Sequence, residues 1–418
     1  MPTASVDPTR TLRELKELRA LTSDENGAQR VAFTAIWRKA RAWLEAKLRE
    51  LPVEVHRDPA GNVWATLRGQ SPRAVLIGGH IDSVPNGGWL DGCLNILAGL
   101  EVMRRLATTG QPPAVTVRLV DWADEEGARF GRSLFGSSAC AGSLRLDEVR
   151  HLVDRDGVSL PDALRENGLA FERLLESRHE LAHAAAYVEL HIEQGPVLLD
   201  RQLPLGAVLG TFGVERHALT FRGQAAHSGS TPMNRRRDAF LPAARLATEI
   251  YRIAEAHGGV CTIGSCVTRP GIVTSVIEEC RITLDQRHLD AAVLAHMLAD
   301  ARAASTRFAE EANVSVEWEP LCRIAPQPFH PELVNLCDEA IRSTCGESLR
   351  LPSGPLHDAS EMAGAGIPTV MLFVQSLHGI SHNKIEDSKE EHLALSVQAL
   401  DRLVDGVLAW AERSASAP

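Results

Sequence analysis

Apolar positions along the chain fall into two rhythms. In "IWRKARAWLEAKL" they recur at three- and four-residue spacing, so residues 10–50 read as two helices. "VEVHRDPAGNVWATLRG" alternates around Pro59-Ala60-Gly61-Asn62 and reads as a hairpin. Ala74-Val75-Leu76-Ile77 opens a buried strand over 74–78, followed by a glycine-rich loop and a helix over about 93–108. "AVTVRLVDWADEEG", "AYVELHIEQG" and "IPTVMLFVQS" read as further strands. Strands alternating with helices predict an α/β layer architecture. In each case a polar cluster sits at or near a strand end, where open α/β sheets bind their ligands.

Between about 212 and 326 the rhythm changes. "HALTFRG" is a strand, 236–257 a long helix, "GVCTIGSCV" and "CRITLDQRH" strands, 289–312 a second helix and "VSVEWEP" a last strand. The order β-α-β-β-α-β predicts a ferredoxin-like α+β unit inserted into the α/β part, which resumes near 327.

The polar clusters carry candidate chemistry. "GGHIDSVPNGGWLDGCLN" gathers His80, Asp82 and Asp91 in a loop with five glycines. Neutral imidazole is a common metal ligand, and Asp82 is placed to orient His80. Glu125-Glu126 follow the strand over 115–121. Adjacent carboxylates point apart, so one can hold a metal while the other stays free as a general base. In "YVELHIEQG", Glu189, His191 and Glu193 share one strand face. "HGISHNKIED" adds His378 and His382. Together these supply His80, Asp91, Glu126, His191 and His382, with Glu125 to spare. Such nitrogen and oxygen donors without sulfur suit zinc, or manganese, nickel or cobalt. With a shared aspartate they suffice for two ions roughly 3.5–4 Å apart.

Composition narrows the alternatives. The 418 residues exceed what a single core usually supports, so two domains are expected. A net charge of −10 with dispersed Lys and Arg argues against a nucleic-acid binder. No stretch approaches the ~20 apolar residues that span a bilayer. "MPTASVDPTR" shows no secretory signal. The eight cysteines include no Cys-x-x-Cys pair, which favours free thiols in a reducing cytoplasm.

Six segments carry a resemblance: "GGHIDSVPNGGWLDGCLNILAGLEV", "DEEGARFGRSLFGSSACAG", "YVELHIEQGPVLLD", "AAHSGSTPMNRRRDA", "LPSGPLHDASEMA" and "GISHNKIED". They occur in family order across residues 78–387. The chain resembles the amidase/hydantoinase/carbamoylase family of dinuclear zinc hydrolases, within the superfamily of aminoacylases and carboxypeptidase-type metallopeptidases. "LHIEQG" distinguishes this group from the true peptidases, which place a carboxylate where His191 stands. The resemblance implies a mixed-sheet catalytic domain (1–211 and 327–418) and an inserted dimerisation or lid domain (212–326). It implies two divalent metal ions per subunit, zinc first. His80 and His191 would hold one, Glu126 and His382 the other, and Asp91 would bridge. Glu125 would be the general base and Asp82 the support of His80. His227, in "AAHSGSTP", would reach across a homodimer to an oxyanion, Arg287 would grip a substrate carboxylate, and Gln194 and His357 would line the substrate pocket.

One segment departs from the family. Where members have Asn in an "NVIP" segment, this chain reads "VTSVIEEC", so Thr274 or Ser275 stands at the substrate-contacting position. "GISHNK" also replaces the commoner "GISHSP". The expectation is a cytoplasmic amidohydrolase with a small-molecule substrate and no nucleic-acid or membrane partner. Its expected substrate is an N-carbamoyl-L-amino acid, yielding L-amino acid, CO2 and ammonia. Allantoate deiminase and β-ureidopropionase are the near rivals, and a catalytically silent binding or scaffold protein is the rival of another class.

Overall fold

The computed structural model describes residues 5–414. The first four residues of "MPTASVDPTR", read above for a secretory signal, lie outside them. The chain divides into two compact units, Thr211–Pro328 and the remainder on either side.

In the first unit, helices α1 (Pro8–Thr22) and α2 (Ala35–Leu48) start on the side chains of Asp7 and Thr34, which accept hydrogen bonds from backbone N–H groups of the first turn. Strands β1 (Glu54–Arg57) and β2 (Val63–Leu67) form the hairpin. Then come β3 (Ser71–His80), helix α3 (Cys93–Ala107), β4 (Val115–Trp122), β5 (Ala184–Ile192) and β6 (Leu205–Thr211). Strand β3 is longer than its apolar run, because pairing with β4 continues through Gly78, Gly79 and His80. Helix α3 is buried on nearly every side.

In the second unit, β7 (Gly213–Arg222), the short β8 (Ala226–His227), helix α4 (Phe240–His257), β9 (Val260–Arg269), the short β10 (Ser275–Val276), β11 (Glu279–His288), helix α5 (Ala291–Glu311) and β12 (Ser315–Ile324) follow. The main sheet has order β9-β11-β7-β12 and is antiparallel throughout, the ferredoxin-like arrangement. Its core joins Leu219, Phe221, Ile282 and Leu284 to Leu246, Ile250, Met297 and Phe308 of the two helices. Helix α4 starts four residues later than its sequence suggests. Arg236 is extended, and the Arg237 carbonyl accepts from Gln224 N–H, so these arginines belong to a strand-like segment.

The first unit is completed by α6 (Pro331–Cys345), β13 (Leu349–Ser353), α7 (Asp358–Gly364), β14 (Thr369–Val374) and α8 (Glu390–Ser414). Its mixed sheet runs β6-β14-β5-β3-β4-β2-β1, with β13 beside β6. Strands β14, β5, β3 and β4 are mutually parallel. Chain order reverses between β3 and β5: β4 follows β3 on one side, and β5 returns on the other. That is a topological switch point, where the two strands part. Their pairing ends at Ile77 and Val188. Beyond it the Asn95 side chain fills the gap: its Nδ2 donates to the Gly78 carbonyl, and its Oδ1 accepts from Leu190 N–H at 3.1 Å.

Asn95 therefore satisfies two backbone groups that no strand reaches. Asn95→Ala should lower unfolding free energy by about 2–4 kcal/mol, the cost of two buried groups left without partners. Chemical denaturation followed by tryptophan fluorescence measures the loss; an unchanged midpoint would mean that the gap is filled another way.

Candidate metal centre

His80 ends β3 and His191 lies near the end of β5, on either side of the parted strands. The loop after β3 brings Asp91 back between them. Two glycines permit this return. Gly92 has φ 65°, and a Cβ there would lie 2.3 Å from the His80 carbonyl oxygen. A Cβ on Gly88 would overlap the Glu386 carboxylate. Both tight approaches sit within three residues of Asp91.

Asp91 Oδ1 is 3.3 Å from His80 Nε2 and 3.1 Å from His191 Nε2. Its Oδ2 is 3.5 Å from His382 Nε2, which is 3.3 Å from Glu126 Oε2. Among the described residues three groups could hold a metal: His80/Asp91/His191 and Asp91/Glu126/His382, which share one carboxylate, and Glu189/His191/His357 beside them. Glu125 Oε2 lies 3.8 Å from His80 Nε2. Every residue predicted from the first unit as a ligand or base is therefore in one cluster.

The imidazole tautomers test whether cations fit. His191 Nδ1 is 2.8 Å from the Ile192 carbonyl oxygen and His80 Nδ1 is 3.2 Å from that of Asp82, so each Nδ1 carries the proton and donates. Each Nε2 then faces Asp91 Oδ1, a contact that a proton or a metal cation between nitrogen and carboxylate satisfies. His80 Nε2 is buried and makes no hydrogen bond. The donor set also fits: three imidazole nitrogens with carboxylate oxygens, and no thiolate.

The surroundings hold this geometry. Asp82 lies 3.6 Å from His80 Nδ1 and accepts from the backbone N–H groups of both Glu125 and Glu126 at 3.2 Å. Ile81, between His80 and Asp82, is fixed at both backbone groups. Its N–H donates to Asp121 at 2.8 Å, and its carbonyl accepts from the buried Arg30 at 2.8 Å. Asp121 in turn pairs with the buried Arg41 at 2.7 Å. On the far side, Glu386 Oε1 accepts from Leu90 and Asp91 N–H at 3.1 and 3.0 Å, and Ser381 Oγ lies 2.8 Å from its Oε2.

Crowded carboxylates shift one another. Burial pushes Glu125 well above the ordinary carboxylate range, with Asp358, Glu126 and Asp91 adding to it against His80. Burial and the Asp91 charge bring Glu126 and Glu386 each to about 7. Burial acts on Asp91 too, but His191, His382 and His80 hold it well below the usual range. His382 rises to about 9 through its hydrogen bond to Asp91, against burial.

The other predicted residues divide. Gln194 has φ 59° and donates from Nε2 to Asp91 Oδ2 at 2.8 Å, so its amide holds the shared carboxylate. The buried His357 ring centroid is 4.4 Å from that of His191, and its Nε2 is 3.0 Å from Ser353 Oγ. Glu189, on the His191 face, accepts from Tyr187 and from Ala359 N–H. Glu193 caps the turn at Val197 and Leu198. His378 belongs to none of the potential metal-holding groups among the described residues.

In the second unit, His227 pairs with Ser275 across the β8–β10 ladder, and Thr274 accepts from Ser228 N–H. His227 Nδ1 accepts from Gly229 and Ser230 N–H at 3.1 and 3.2 Å, so its proton sits on Nε2 and is free to be donated outward. Arg287 stands elsewhere. It faces Val214 at the start of β7, whereas β8 follows the end of β7. The span from Val214 to Arg222 is about 26 Å at the strand rise. Arg287 Nε donates to Asp285 at 2.8 Å, and Asp285 also accepts from Arg216 at 2.6 Å. The sequence does not single out Arg30, Arg41, Asp121 or Glu386; each reads there as an ordinary charged residue of a helix, strand or loop.

Asp91→Ala should abolish binding in both groups that share its carboxylate, whereas His382→Ala should spare the His80/His191 side. Metal content after dialysis distinguishes them; equal losses would mean that the carboxylate is not shared.

The peptidase family M20/M25/M40 model matches residues 76–406. The chain is 36% identical over 385 residues to an N-carbamoyl-L-amino acid amidohydrolase of Geobacillus stearothermophilus, covering 90% of this chain and 92% of the relative. It is 32% identical to an allantoate amidohydrolase of Escherichia coli, covering 92% and 93%. A crystal structure of a hydantoinase/carbamoylase family amidase from Burkholderia multivorans superposes with a TM-score of 0.86 at 32% identity, covering 96% and 98%. On this match and these relatives, the chain belongs to peptidase family M20/M25/M40, among its amidohydrolases that act on C–N bonds in linear amides.

Proposed function

We propose that the protein is a two-metal amidohydrolase that hydrolyses N-carbamoyl-L-amino acids to the L-amino acid, CO2 and ammonia. The observation that carries the reading is Asp91 placed between two histidine-carboxylate groups with Glu125 beside them. His80, His191 and Asp91 on one side and Glu126, His382 and Asp91 on the other would hold two divalent cations, zinc foremost, which would supply Lewis acidity and lower the pKa of a water. Glu125 takes a proton from the attacking water and delivers it to the departing nitrogen. Asp82 and Gln194 keep His80 and Asp91 in register. His227 donates from Nε2 to the oxygen that gains charge as water adds to the carbonyl. Arg287 binds the substrate carboxylate, its planar fork already pre-oriented by Asp285. His357, with Thr274 or Ser275, completes the recognition of the substrate.

Two copies are needed in this reading. Arg287 pairs with the start of β7 and His227 follows its end; the strand between, Val214 to Arg222, spans about 26 Å, longer than one small molecule. A homodimer in which His227 serves the partner's substrate removes the conflict. All eight cysteines are free thiols, which supports a cytoplasmic setting, and no helix among the described residues is long and apolar enough to cross a membrane.

The allantoate reading has its own support, since relatives from Escherichia coli and Bacillus subtilis carry that name at 32% and 30% identity. A panel of N-carbamoyl-L-amino acids, β-ureidopropionate and allantoate, with ammonia and amine both followed, decides between them. Highest kcat/KM on an N-carbamoyl-L-amino acid is the expected result; preference for allantoate would replace it.

Glu125→Gln should retain the bound metal and lose kcat by about 10²–10⁴-fold or more, as expected on removing a general base. Retained turnover would show the acid pair to be misassigned. Mixing inactive Glu125→Gln and His227→Ala chains should restore about a quarter of wild-type activity, because random pairing leaves one intact site in half of the dimers. No recovery would place His227 in its own subunit or outside catalysis.

A further inference from the structure

The second unit contains a cysteine pair that the proposed chemistry does not use. Cys266 lies on β9 and Cys280 on β11, and their sulfurs are 3.7 Å apart. In the β9–β11 ladder Cys266 is opposite Ile282 and Cys280 opposite Thr268, so the two cysteines are diagonal neighbours on one sheet face. Cys266 is exposed and Cys280 is buried at the core edge. We propose that Cys266 and Cys280 are a reversible dithiol–disulfide site that ties the base of the loop carrying Thr274 and Ser275.

The sulfurs are near enough to bond once the strand ends shift toward each other. The sulfurs must close by roughly 1.7 Å to reach disulfide length. Strand β9 is the edge of the sheet, so its end can move toward β11 without disturbing a strand on its outer side. The chain between the two cysteines includes β10, whose Ser275 pairs with His227. A bond across 266–280 would therefore restrain the segment that positions Ser275 and Thr274 against His227. Formation of the bond is independent of the function proposed above; only its effect on turnover rests on that reading.

The chemistry balances with a low-molecular-weight disulfide as oxidant. The Cys266 thiolate attacks that disulfide, forming a mixed disulfide and releasing one small thiol. Cys280 gives its proton to solvent and its sulfur attacks Cys266 Sγ, releasing the second small thiol. Two protein thiols are oxidised and one small disulfide is reduced. Burial, with Cys266 adjacent, pushes the Cys280 thiol up to about 12, so the second step is slow near neutral pH and quickens as pH rises.

The full-length protein is incubated to completion with oxidised glutathione, denatured, alkylated and analysed by peptide mass spectrometry. Alkylatable thiols should fall from eight to six per chain, with the peptides of Cys266 and Cys280 joined. Dithiothreitol should restore all eight, and amide exchange over 270–278 should be slower in the oxidised form. Cys266→Ser and Cys280→Ser should each abolish the joined peptides. Eight thiols still free, glutathione held on Cys266 with Cys280 unreacted, or Cys266 bridging two chains on a non-reducing gel would each overturn the proposal.

Discussion

The carboxylate of Asp91 is the constraint around which the first unit is arranged. Three imidazole Nε2 atoms and the Gln194 amide converge on its two oxygens, and its backbone N–H is held by Glu386. Few residues are so fully determined from outside. The reason is electrostatic. Asp82, Asp124, Glu125, Glu189 and Asp358 are buried nearby, and burial drives each toward its neutral form. An apolar core does not tolerate that density of acid by itself. Part of the compensation is built in as Arg30 and Arg41, which sit behind the loop and reach Ile81 and Asp121. The rest points inward at Asp91, where the two groups that share its carboxylate could hold metal ions.

The sheet makes room for this cluster by a topological accident that is put to use. Parallel strands pair through evenly spaced hydrogen bonds, and two that belong to opposite-going halves of a sheet diverge at their carboxyl ends. Here β3 and β5 diverge past Ile77 and Val188. The gap would leave backbone groups unpaired. Asn95, on the helix that follows the metal loop, pairs two of them. The residue that seals the gap and the loop that fills it are thus consecutive in sequence, so folding of one places the other. Left-handed backbone at Gln194 and His382 finishes the turn of two further side chains toward Asp91. Both are non-glycine residues in a conformation that is sparsely populated, which fits a site where local strain is balanced by surrounding contacts.

Much of this was legible in the sequence because it is local. The α/β alternation, the β-α-β-β-α-β order and the four strand-end clusters depend on periodicity and on residue type. His80, Asp82 and Asp91 were readable because a histidine and two acids follow a buried strand with glycines between. What was not legible is long-range. Nothing near Arg30 or Arg41 announces that a surface-type residue will be fully buried; each is explained only by Ile81 or Asp121, far along the chain. Glu386 stands in a loop of mixed polarity, and its role follows from contact with Leu90 and Asp91. The start of α4 was misplaced for a similar reason, since Arg237 is captured by Gln224 before the helix can begin.

The second unit shows how little residue type alone fixes a role. Arg287 has the chemistry to bind a carboxylate, yet Asp285 already holds it, and Arg216 competes for the same acid. Asp285 thus orients both guanidinium groups at once. His227 is set up differently. Its Nδ1 is occupied by two backbone N–H groups, which leaves Nε2 protonated and pointed away from its own turn. The separation of these two residues along β7 then matters more than either residue taken singly. Under the roles proposed above, a small substrate that meets both residues takes them from different chains.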